Sequence, residues 1–266
     1  MNIYIYSNRS SHSSKDIIDY IELKLKDIFN DLIVVPYDSI DTVNFVNVNT
    51  LIFSGGDGVF NNLVNKLSNF NIIFAYIPTG TANDMGHNLN IKNVNKALDA
   101  IENKNIIKLN LLELNSDVNK YFLYAFSIGE MSKIANNAKT RSKKRLGKFL
   151  YIFRGCLYLF AKREKINYKI DEKNYEKRLR CLIITRSKYL GGVRIEKNFQ
   201  NELHVYPIRN IFDLGFLFIL KRGKFIKANN IEFCSNSCMS IDGENINLTS
   251  GNIKISDKYI SIYKNN

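Results

Sequence analysis

One short segment constrains the fold more than any other, because it joins a buried strand, a glycine-rich turn and the start of a helix. It runs from Leu51 to Asn62 and reads LIFSGGDGVFNN. Apolar residues at helical spacing follow the glycines at once. A strand that turns directly into a helix is typical of β-α-β units, which build a mostly parallel sheet covered by helices.

Similar units recur through the first hundred residues. Short apolar runs predict strands at Ile3–Tyr6, Leu32–Val35, Thr50–Ser54 and Asn71–Ile77. Helical periodicity lies between and after them, at Ile17–Ile28, Phe60–Leu67 and Val94–Ile101. We therefore expect an α/β domain over residues 1–108.

From about Lys108 the pattern changes to strands joined by turns. The predicted strands are Lys108–Leu114, Tyr121–Ile128, Ile166–Ile170, Leu179–Thr185, Leu203–Ile208, Ile231–Phe233, Cys238–Ile241 and Ile253–Tyr263. Two helical segments interrupt them, at Lys143–Lys162 and Ile211–Lys221. This pattern favours an antiparallel β-sandwich over residues 109–266, with a helical insert at 129–162.

The Gly55-Gly56-Asp57-Gly58 turn is a candidate phosphate site. Glycines let the backbone approach a ligand closely, and the helix behind them offers free N–H groups and a positive dipole end. Because an acid repels phosphate unless a cation bridges them, Asp57 indicates Mg²⁺. The alternative is a tight turn in which Asp57 caps the helix.

A second loop, Pro78-Thr79-Gly80-Thr81-Ala82-Asn83-Asp84, follows the next strand. Loops at the carboxyl ends of neighbouring parallel strands line one crevice, where ligands usually bind. Gly80, Thr81 and Asn83 can contact a nucleotide, and Asp84 adds a second acid. The alternative is again a helix cap, made by Thr81 or Asn83.

A third motif is Asp242-Gly243-Glu244, between two strand-like runs. Asp-Gly at such a place is first of all a hairpin turn. Glu244 gains a chemical role only if the fold brings it to Asp57.

Together the three motifs, in this order, resemble the diacylglycerol kinase catalytic domain of soluble bacterial lipid kinases, which is related to sphingosine and ceramide kinases. Leu146-Gly147, Tyr151 and Gly155 resemble the helical insert of that family, and Arg222-Gly223-Lys224 resembles the segment before its last strands. The resemblance implies an NAD-kinase-like nucleotide-binding α/β domain packed on an antiparallel β-sandwich, with ATP between them.

The resemblance also implies roles for individual residues. Glu244 matches the proton acceptor for the lipid hydroxyl, and with Asp57 forms the catalytic pair. Asp57 and Asp84 belong to the Mg²⁺ network. The residues expected to hold ATP are Gly55, Gly56, Asp57, Gly58, Val59, Phe60, Asn61, Gly80, Thr81 and Asn83.

The sequence departs from the family pattern at several positions. Val59 stands where relatives have Thr, and Asn62 where they have Glu. Asn110 and Asn201 replace two acids, the second in a structural-metal loop, and of the N-terminal Asn-Pro-x-Ser-Gly pattern only Ser10 matches. A catalytically weak or silent relative that binds nucleotide or membrane is therefore the alternative function, and NAD kinase is a third.

Charge supplies the expected partner surface. Lys and Arg number 38 against 25 Asp and Glu, a formal net charge of +13. No apolar run reaches the roughly 20 residues of a spanning helix, and no signal peptide is visible, so we expect a cytoplasmic, peripherally membrane-associated protein. A basic run followed by aromatic and aliphatic residues at 139–160 is the expected contact with an anionic membrane, a core helix with a solvated flank being the alternative.

A smaller patch of the same kind contains Phe216, Phe218, Lys221, Arg222, Lys224, Phe225 and Lys227. No motif supports nucleic-acid binding. The expected substrate is a membrane lipid, and a homodimer is left open.

Overall fold

The structure is a computed structural model that describes residues 1–6, 14–129, 162–198 and 201–266. The predicted helix Lys143–Lys162, the insert 129–162, the membrane segment 139–160 and Ser10 lie largely or wholly outside these ranges. The described residues form two compact units, Met1–Asn110 with Lys258–Asn266, and Leu111–Asp257.

The first unit is built from β-α-β connections, as its apolar periodicity predicts. Its strands are β1 (Asn2–Tyr6), β2 (Leu32–Pro36), β3 (Thr50–Gly55) and β4 (Ile73–Pro78). Its α-helices are α1 (Lys15–Ile28), α2 (Asp57–Leu67), α3 (Asp84–Asn88) and α4 (Val94–Glu102), and a 3-10 helix covers Tyr37–Thr42. The strands pair in parallel in the order β2-β1-β3-β4.

Both central strands of this sheet are apolar and buried, which places their carboxyl ends at fixed positions. Every residue of β3 is buried, and so is every residue of β4 after Ile73. A strand buried on both faces needs helices on both faces, which explains its continuous apolar run. The two candidate loops therefore start from the rigid middle of the sheet.

The next strand, β5 (Ile106–Asn115), begins in the first unit and ends in the second. It is followed in the second unit by β6 (Lys120–Phe122), β7 (Ala125–Ile128), β8 (Glu164–Ile170), β9 (Lys173–Leu179) and β10 (Cys181–Thr185). They continue with β11 (Tyr189–Leu190), β12 (Val193–Arg194), β13 (Leu203–Ile208), β14 (Ile226–Ala228), β15 (Asn230–Cys234), β16 (Met239–Ile241), β17 (Glu244–Ile246) and β18 (Ser250–Tyr263). One helix, α5 (Ile211–Leu214), continues into a π-helical turn at Gly215–Ile219.

Two antiparallel sheets enclose the core of this unit. One has the order β14-β13-β10-β7-β16-β17, and the other contains β18-β15-β8-β9. Buried residues from both sheets, such as Phe126, Val205, Ile231 and Ile253, form one hydrophobic cluster. This is the packing of a sandwich.

Two of the differences from the sequence predictions concern the limits of predicted segments. The expected strand Tyr121–Ile128 is interrupted between β6 and β7, for a reason given below. The second half of β18 joins the first unit, where Ser261 and Ile262 pair in parallel with β4. The predicted division into 1–108 and 109–266 assigned this last segment to the sandwich. None of the helices in the described ranges is both long enough and apolar enough to cross a bilayer.

Candidate functional site

The amino end of α2 is open to an anion. Its N-cap is Gly56, which has no side chain with which to cap the helix. The first N–H groups of a helix have no partner inside it, and the helix dipole makes this end positive. The geometry therefore agrees with the predicted phosphate site at this turn.

The two glycine loops touch through their backbones. The carbonyl oxygen of Gly55 accepts hydrogen bonds from the N–H groups of Thr79, at 3.0 Å, and Gly80, at 3.1 Å. A Cβ atom on Gly80 would lie 2.6 Å from the Cα of Gly56, which is closer than real Cβ contacts come. Position 80 thus has no room for a side chain, and glycine is required there.

Asp57 joins the same two loops through its side chain. Its Oδ2 accepts a hydrogen bond from the N–H of Asp84 at 2.9 Å, and its Oδ1 accepts one from Met85 at 3.1 Å. These N–H groups belong to the first turn of α3. Asp57 therefore caps α3. The simpler interpretation of the turn supposed that Asp57 caps its own helix, α2, but the N-cap of α2 is Gly56.

Asn83 holds the second loop in a left-handed conformation. Its φ is 50°, and its side chain makes no cap for α3. Instead its Nδ2 donates to the carbonyl oxygen of Gly80 at 2.8 Å. Thr81 lies half-buried in the same loop. The interpretation of this loop as a self-capped helix start is therefore wrong for Asn83.

Tyr76 is a residue of this site that the sequence did not single out. Its hydroxyl lies 3.0 Å from Oδ1 of Asn83 and 3.3 Å from the carbonyl oxygen of Gly55, so it can donate to either loop. Burial raises the pKa of this hydroxyl well above its usual value, and the charges of Asp57 and then Asp84 raise it further. In the sequence, Tyr76 is only one apolar position of a strand.

Two buried acids of the first unit, Asp57 and Asp84, suit a magnesium ion. Asp57 and Asp84 are both buried, and both act electrostatically on the hydroxyl of Tyr76. A carboxylate that accepts two N–H bonds retains further lone pairs. The described residues contain no group of three or more His, Cys, Asp or Glu that could hold a metal. Mg²⁺ is commonly held by one or two carboxylates and the phosphates of its substrate, so the pair fits this ion.

Four further predicted residues lie on the first turn of α2 or just beyond. The ring of Phe60 is fully buried against Phe53, with centroids 4.8 Å apart, and its N–H donates to Gly56 at 3.2 Å. Phe60 therefore packs the core, and its predicted contact with ATP is not supported. The side chain of Val59 covers Gly55, and the Oδ1 of buried Asn61 accepts a hydrogen bond from Asn65 at 3.0 Å. Gly58 is half-buried beside Asp57.

A groove beside α2 was not predicted. Its volume is about 300 Å³, and it is lined by Tyr37, Asp38, Ile40, Asp41, Asn62 and Lys66. Lys66 forms an ion pair with Asp41 across it. Asn62 and Lys66 are the two lining residues that belong to α2. Only Asn62 carried a sequence signal, as a departure from the family pattern.

The third motif lies in the second unit and contains a hairpin turn, as predicted. Asp242 and Gly243 both have positive φ, 46° and 87°, between the paired residues Ile241 and Glu244. This is the backbone of the tight turn that Asp-Gly favours.

Asp242 has a second task, which also explains the break between β6 and β7. Its carboxylate accepts hydrogen bonds from the N–H groups of Leu123, Tyr124 and Ala125, at 2.7, 3.0 and 2.9 Å. In a continuous strand these N–H groups would donate to the backbone of a neighbouring strand. Here they donate to a side chain, and the strand is interrupted. Burial lowers the pKa of nearby Arg186 to about 10, and the charge of Asp242 opposes this shift.

Glu244 begins β17 and is exposed. Partial loss of hydration raises the pKa of its carboxyl; Lys120 opposes the shift and Asp242 adds to it. A carboxyl group with a raised pKa is better suited to accept a proton near neutral pH than an ordinary Glu. Glu244 belongs to the second unit, whereas Asp57 and Asp84 belong to the first.

Both positions where the family pattern loses an acid are exposed. Asn110 is an exposed residue of β5, and Asn201 is exposed just before β13.

Comparison with known proteins agrees with this geometry. Residues 37–114 match the family described as the diacylglycerol kinase catalytic domain. Over this segment the chain is similar to the diacylglycerol kinase catalytic-domain family. The prediction of a kinase-family enzyme is thereby confirmed, and the matched range contains both glycine loops.

Individual relatives extend the match. The diacylglycerol kinase of Bacillus subtilis is 28% identical over 203 residues, which cover 74% of this chain and 61% of the relative. The chain thus matches less than two thirds of that relative's length.

Solved structures extend it to the whole fold. A diacylglycerol kinase structure from Bacillus anthracis is similar with a TM-score of 0.81, at 21% identity, over 99% of this chain and 97% of its own. An NAD kinase from Archaeoglobus fulgidus, solved with ATP, gives a TM-score of 0.60 at 13% identity, over 100% of this chain and 94% of its own. These likenesses confirm the predicted fold class.

Proposed function

We propose that this protein transfers the terminal phosphoryl group of ATP, with Mg²⁺, to the hydroxyl group of a membrane lipid. The simplest lipid substrate is diacylglycerol, and the product is then phosphatidic acid. The observation that carries the proposal is the contact between the two glycine loops, which Asp57 joins beside the end of α2 whose N-cap is Gly56. Phosphoryl transfer depends mainly on positioning and charge stabilisation, and this contact provides both.

The first unit supplies the parts that hold the nucleotide. The open N–H groups of α2 and the backbone around Gly56 and Gly80 bind phosphate oxygens. The groove lined by Tyr37 and Asn62 takes the nucleoside, because it begins on the same helix and has a volume typical of a small ligand site.

The acids divide into two roles. Asp57 and Asp84 hold Mg²⁺, which neutralises charge on the phosphates when it is bound. Glu244 accepts the proton of the lipid hydroxyl as that oxygen attacks, and its raised pKa makes it the stronger base. Contact with an anionic membrane through 139–160, outside the described residues, is part of the same proposal.

A lipid panel tests the proposal. Vesicles that carry diacylglycerol, ceramide or sphingosine are incubated with labelled ATP and Mg²⁺, and the lipids are separated. We expect one labelled phospholipid from the wild type, and at least a 100-fold loss of product for Glu244→Gln. Glu176→Gln, on the exposed strand β9, is the matched control and keeps full activity.

The alternatives have their own outcomes. If no lipid is labelled with any divalent cation while calorimetry detects ATP binding, the protein is the silent nucleotide-binding relative that Val59, Asn110 and Asn201 suggest. If NAD is phosphorylated in place of lipid, the NAD kinase alternative is correct.

A further inference from the structure

An apolar surface beside a basic turn stands out in the second unit. The segment from Ile211 to Leu220 reads IFDLGFLFIL, so nine of its ten residues are apolar or glycine. Leu214 and Leu217 are buried against the outer face of the sheet that contains β10 and β13. Phe218 is partly buried against the same cluster, and the remaining apolar side chains are exposed. Their exposed fractions are 41% for Ile211, 72% for Phe212, 49% for Phe216, 77% for Ile219 and 57% for Leu220.

Cations follow this apolar segment directly. Lys221, Arg222 and Lys224 are exposed, and in the part of the chain that the structure describes none of them forms an ion pair. The exposed ring of Phe225 comes next. The apolar side chains of 211–220 and the cations of 221–224 are called the 211–225 face below.

The turn between the two parts is fixed by the backbone. The backbone of Lys221 adopts the left-handed conformation, with a φ of 53°. The N–H of Arg222 donates to the carbonyl oxygen of Phe216 at 2.8 Å. This bond spans six positions, one more than in the usual helix-ending motif with a left-handed residue, and it follows the π-helical turn. The cations are therefore held next to the apolar side chains by a defined turn.

Gly223 fixes the basic turn to the core. A Cβ atom at this position would lie 2.7 Å from Leu217 and 3.1 Å from the ring of Tyr206, so the backbone lies flat on both. The 211–225 face is thus a built surface, and it does not need to fold when it meets a partner.

We infer that the 211–225 face docks on an anionic lipid bilayer. An interface-binding surface combines apolar side chains that enter the acyl boundary with cations at the level of the lipid headgroups, and this face has both. A second copy of the chain fits less well, because a two-fold interface places the same patch opposite itself and would bring the cations of both copies together. The inference uses no step of the kinase reaction and can hold or fail independently of it.

The sequence offers a sensitive probe, because the chain contains no tryptophan. Phe212→Trp places a single indole on the face, and Val118→Trp places one at an exposed loop position of the same unit, 52% exposed. With vesicles of phosphatidylcholine and phosphatidylglycerol, we expect the emission of Phe212→Trp to shift to the blue and to be quenched by a lipid-attached quencher. Val118→Trp stays unchanged. An unchanged Phe212→Trp in a protein that still sediments with the vesicles would overturn the inference.

Charge variants give a second readout, sedimentation with vesicles in the absence of ATP. Changing Lys221, Arg222 and Lys224 to Glu is expected to weaken vesicle binding about 100-fold. Each cation near an anionic leaflet raises the affinity for the membrane by a factor of about ten or less. The control changes Lys173, Lys177 and Arg178, three exposed cations at β9, to Glu, with the same change in net charge. Equal losses of vesicle binding from the two triple variants would mean that only net charge matters, and would refute docking through the 211–225 face.

Two further outcomes complete the test. Phe212→Ser with Ile219→Ser should reduce vesicle binding about tenfold with unchanged thermal stability, because both side chains are exposed. If light scattering shows that the wild type is a dimer, and these substitutions separate it without changing vesicle binding, the face is an interface between copies and the inference is wrong.

Discussion

The carboxylate of Asp57 caps the helix that begins at Asp84, 27 residues further along the chain. One side chain thereby fixes the relative position of both glycine loops. Its two oxygens accept bonds from Asp84 and Met85 in a buried setting, where an unsatisfied N–H group is costly. The acid that the sequence motif assigns to metal binding thus also has a structural role.

Asp57→Ala should therefore lower both stability and nucleotide affinity. We expect a loss of about 2 kcal/mol in the free energy of unfolding, because two helix N–H groups lose their acceptor. Denaturant unfolding measures this loss, and calorimetry measures ATP binding. Asn93→Ala is the matched control, since Asn93 caps α4 through Lys96 at 2.9 Å. It should lose similar stability and bind ATP normally; equal loss of binding would show that Asp57 acts through stability alone.

Gly80→Ala tests the close approach of the loops. The new Cβ atom would lie 2.6 Å from both the Cα of Gly56 and the Oδ1 of Asn83, so the loops must separate. We expect ATP affinity to fall at least tenfold and stability to fall by about 3 kcal/mol.

Gly215→Ala is the control for this experiment. A Cβ atom at Gly215 meets nothing within 4 Å, and the residue has helical angles, with φ −59° and ψ −44°. Stability should rise by about 0.5 kcal/mol, with ATP affinity unchanged. Normal ATP affinity in a folded Gly80→Ala variant would show that the contact between the loops is not needed for binding.

The elements of the first unit could be predicted from the sequence because each follows one strong local pattern. The apolar runs of β3 and β4 and the Gly-Gly-Asp-Gly turn each specify their own conformation. By contrast, β9 reads KNYEKRL and has no apolar alternation, because it is an exposed edge strand whose pairing with β8 comes from its partner.

Contacts in the site between residues that are far apart in the sequence could not be predicted from local sequence patterns. Nothing near Asp57 in the sequence shows that the N–H groups that donate to it lie beyond the next strand, and nothing near Tyr76 marks it as a bridge between loops. Likewise, the break after Phe122 depends on Asp242, 119 positions from Leu123. Tertiary hydrogen bonds of this kind override the strand propensity of Tyr121–Ile128.

Val59→Thr tests whether this departure from the family pattern weakens the site. Thr keeps the branched shape that covers Gly55 and adds a hydroxyl on the first turn of α2, close to the proposed phosphates. Because Val59 is only half-buried, the change in stability should stay within about 0.5 kcal/mol. We expect the KM for ATP to fall about fivefold, the effect of one added hydrogen bond. Val46→Thr, at a position 71% exposed, should change nothing; a KM equal to that of the wild type in Val59→Thr would mean that the lost hydroxyl is irrelevant here.

Lys120→Met tests the assignment of Glu244 as the proton acceptor through the pH dependence of turnover. Partial loss of hydration raises the pKa of Glu244, and the positive charge of Lys120 holds that pKa lower than the loss of hydration alone would. Removal of that charge disfavours the carboxylate, so the pKa rises and the acid limb of the kcat profile moves to higher pH. The matched substitution Lys173→Met, on the exposed strand β9, should leave the limb in place. If Lys120→Met leaves the limb unmoved, the titrating group is one other than Glu244, and the proton must leave the lipid hydroxyl by another route.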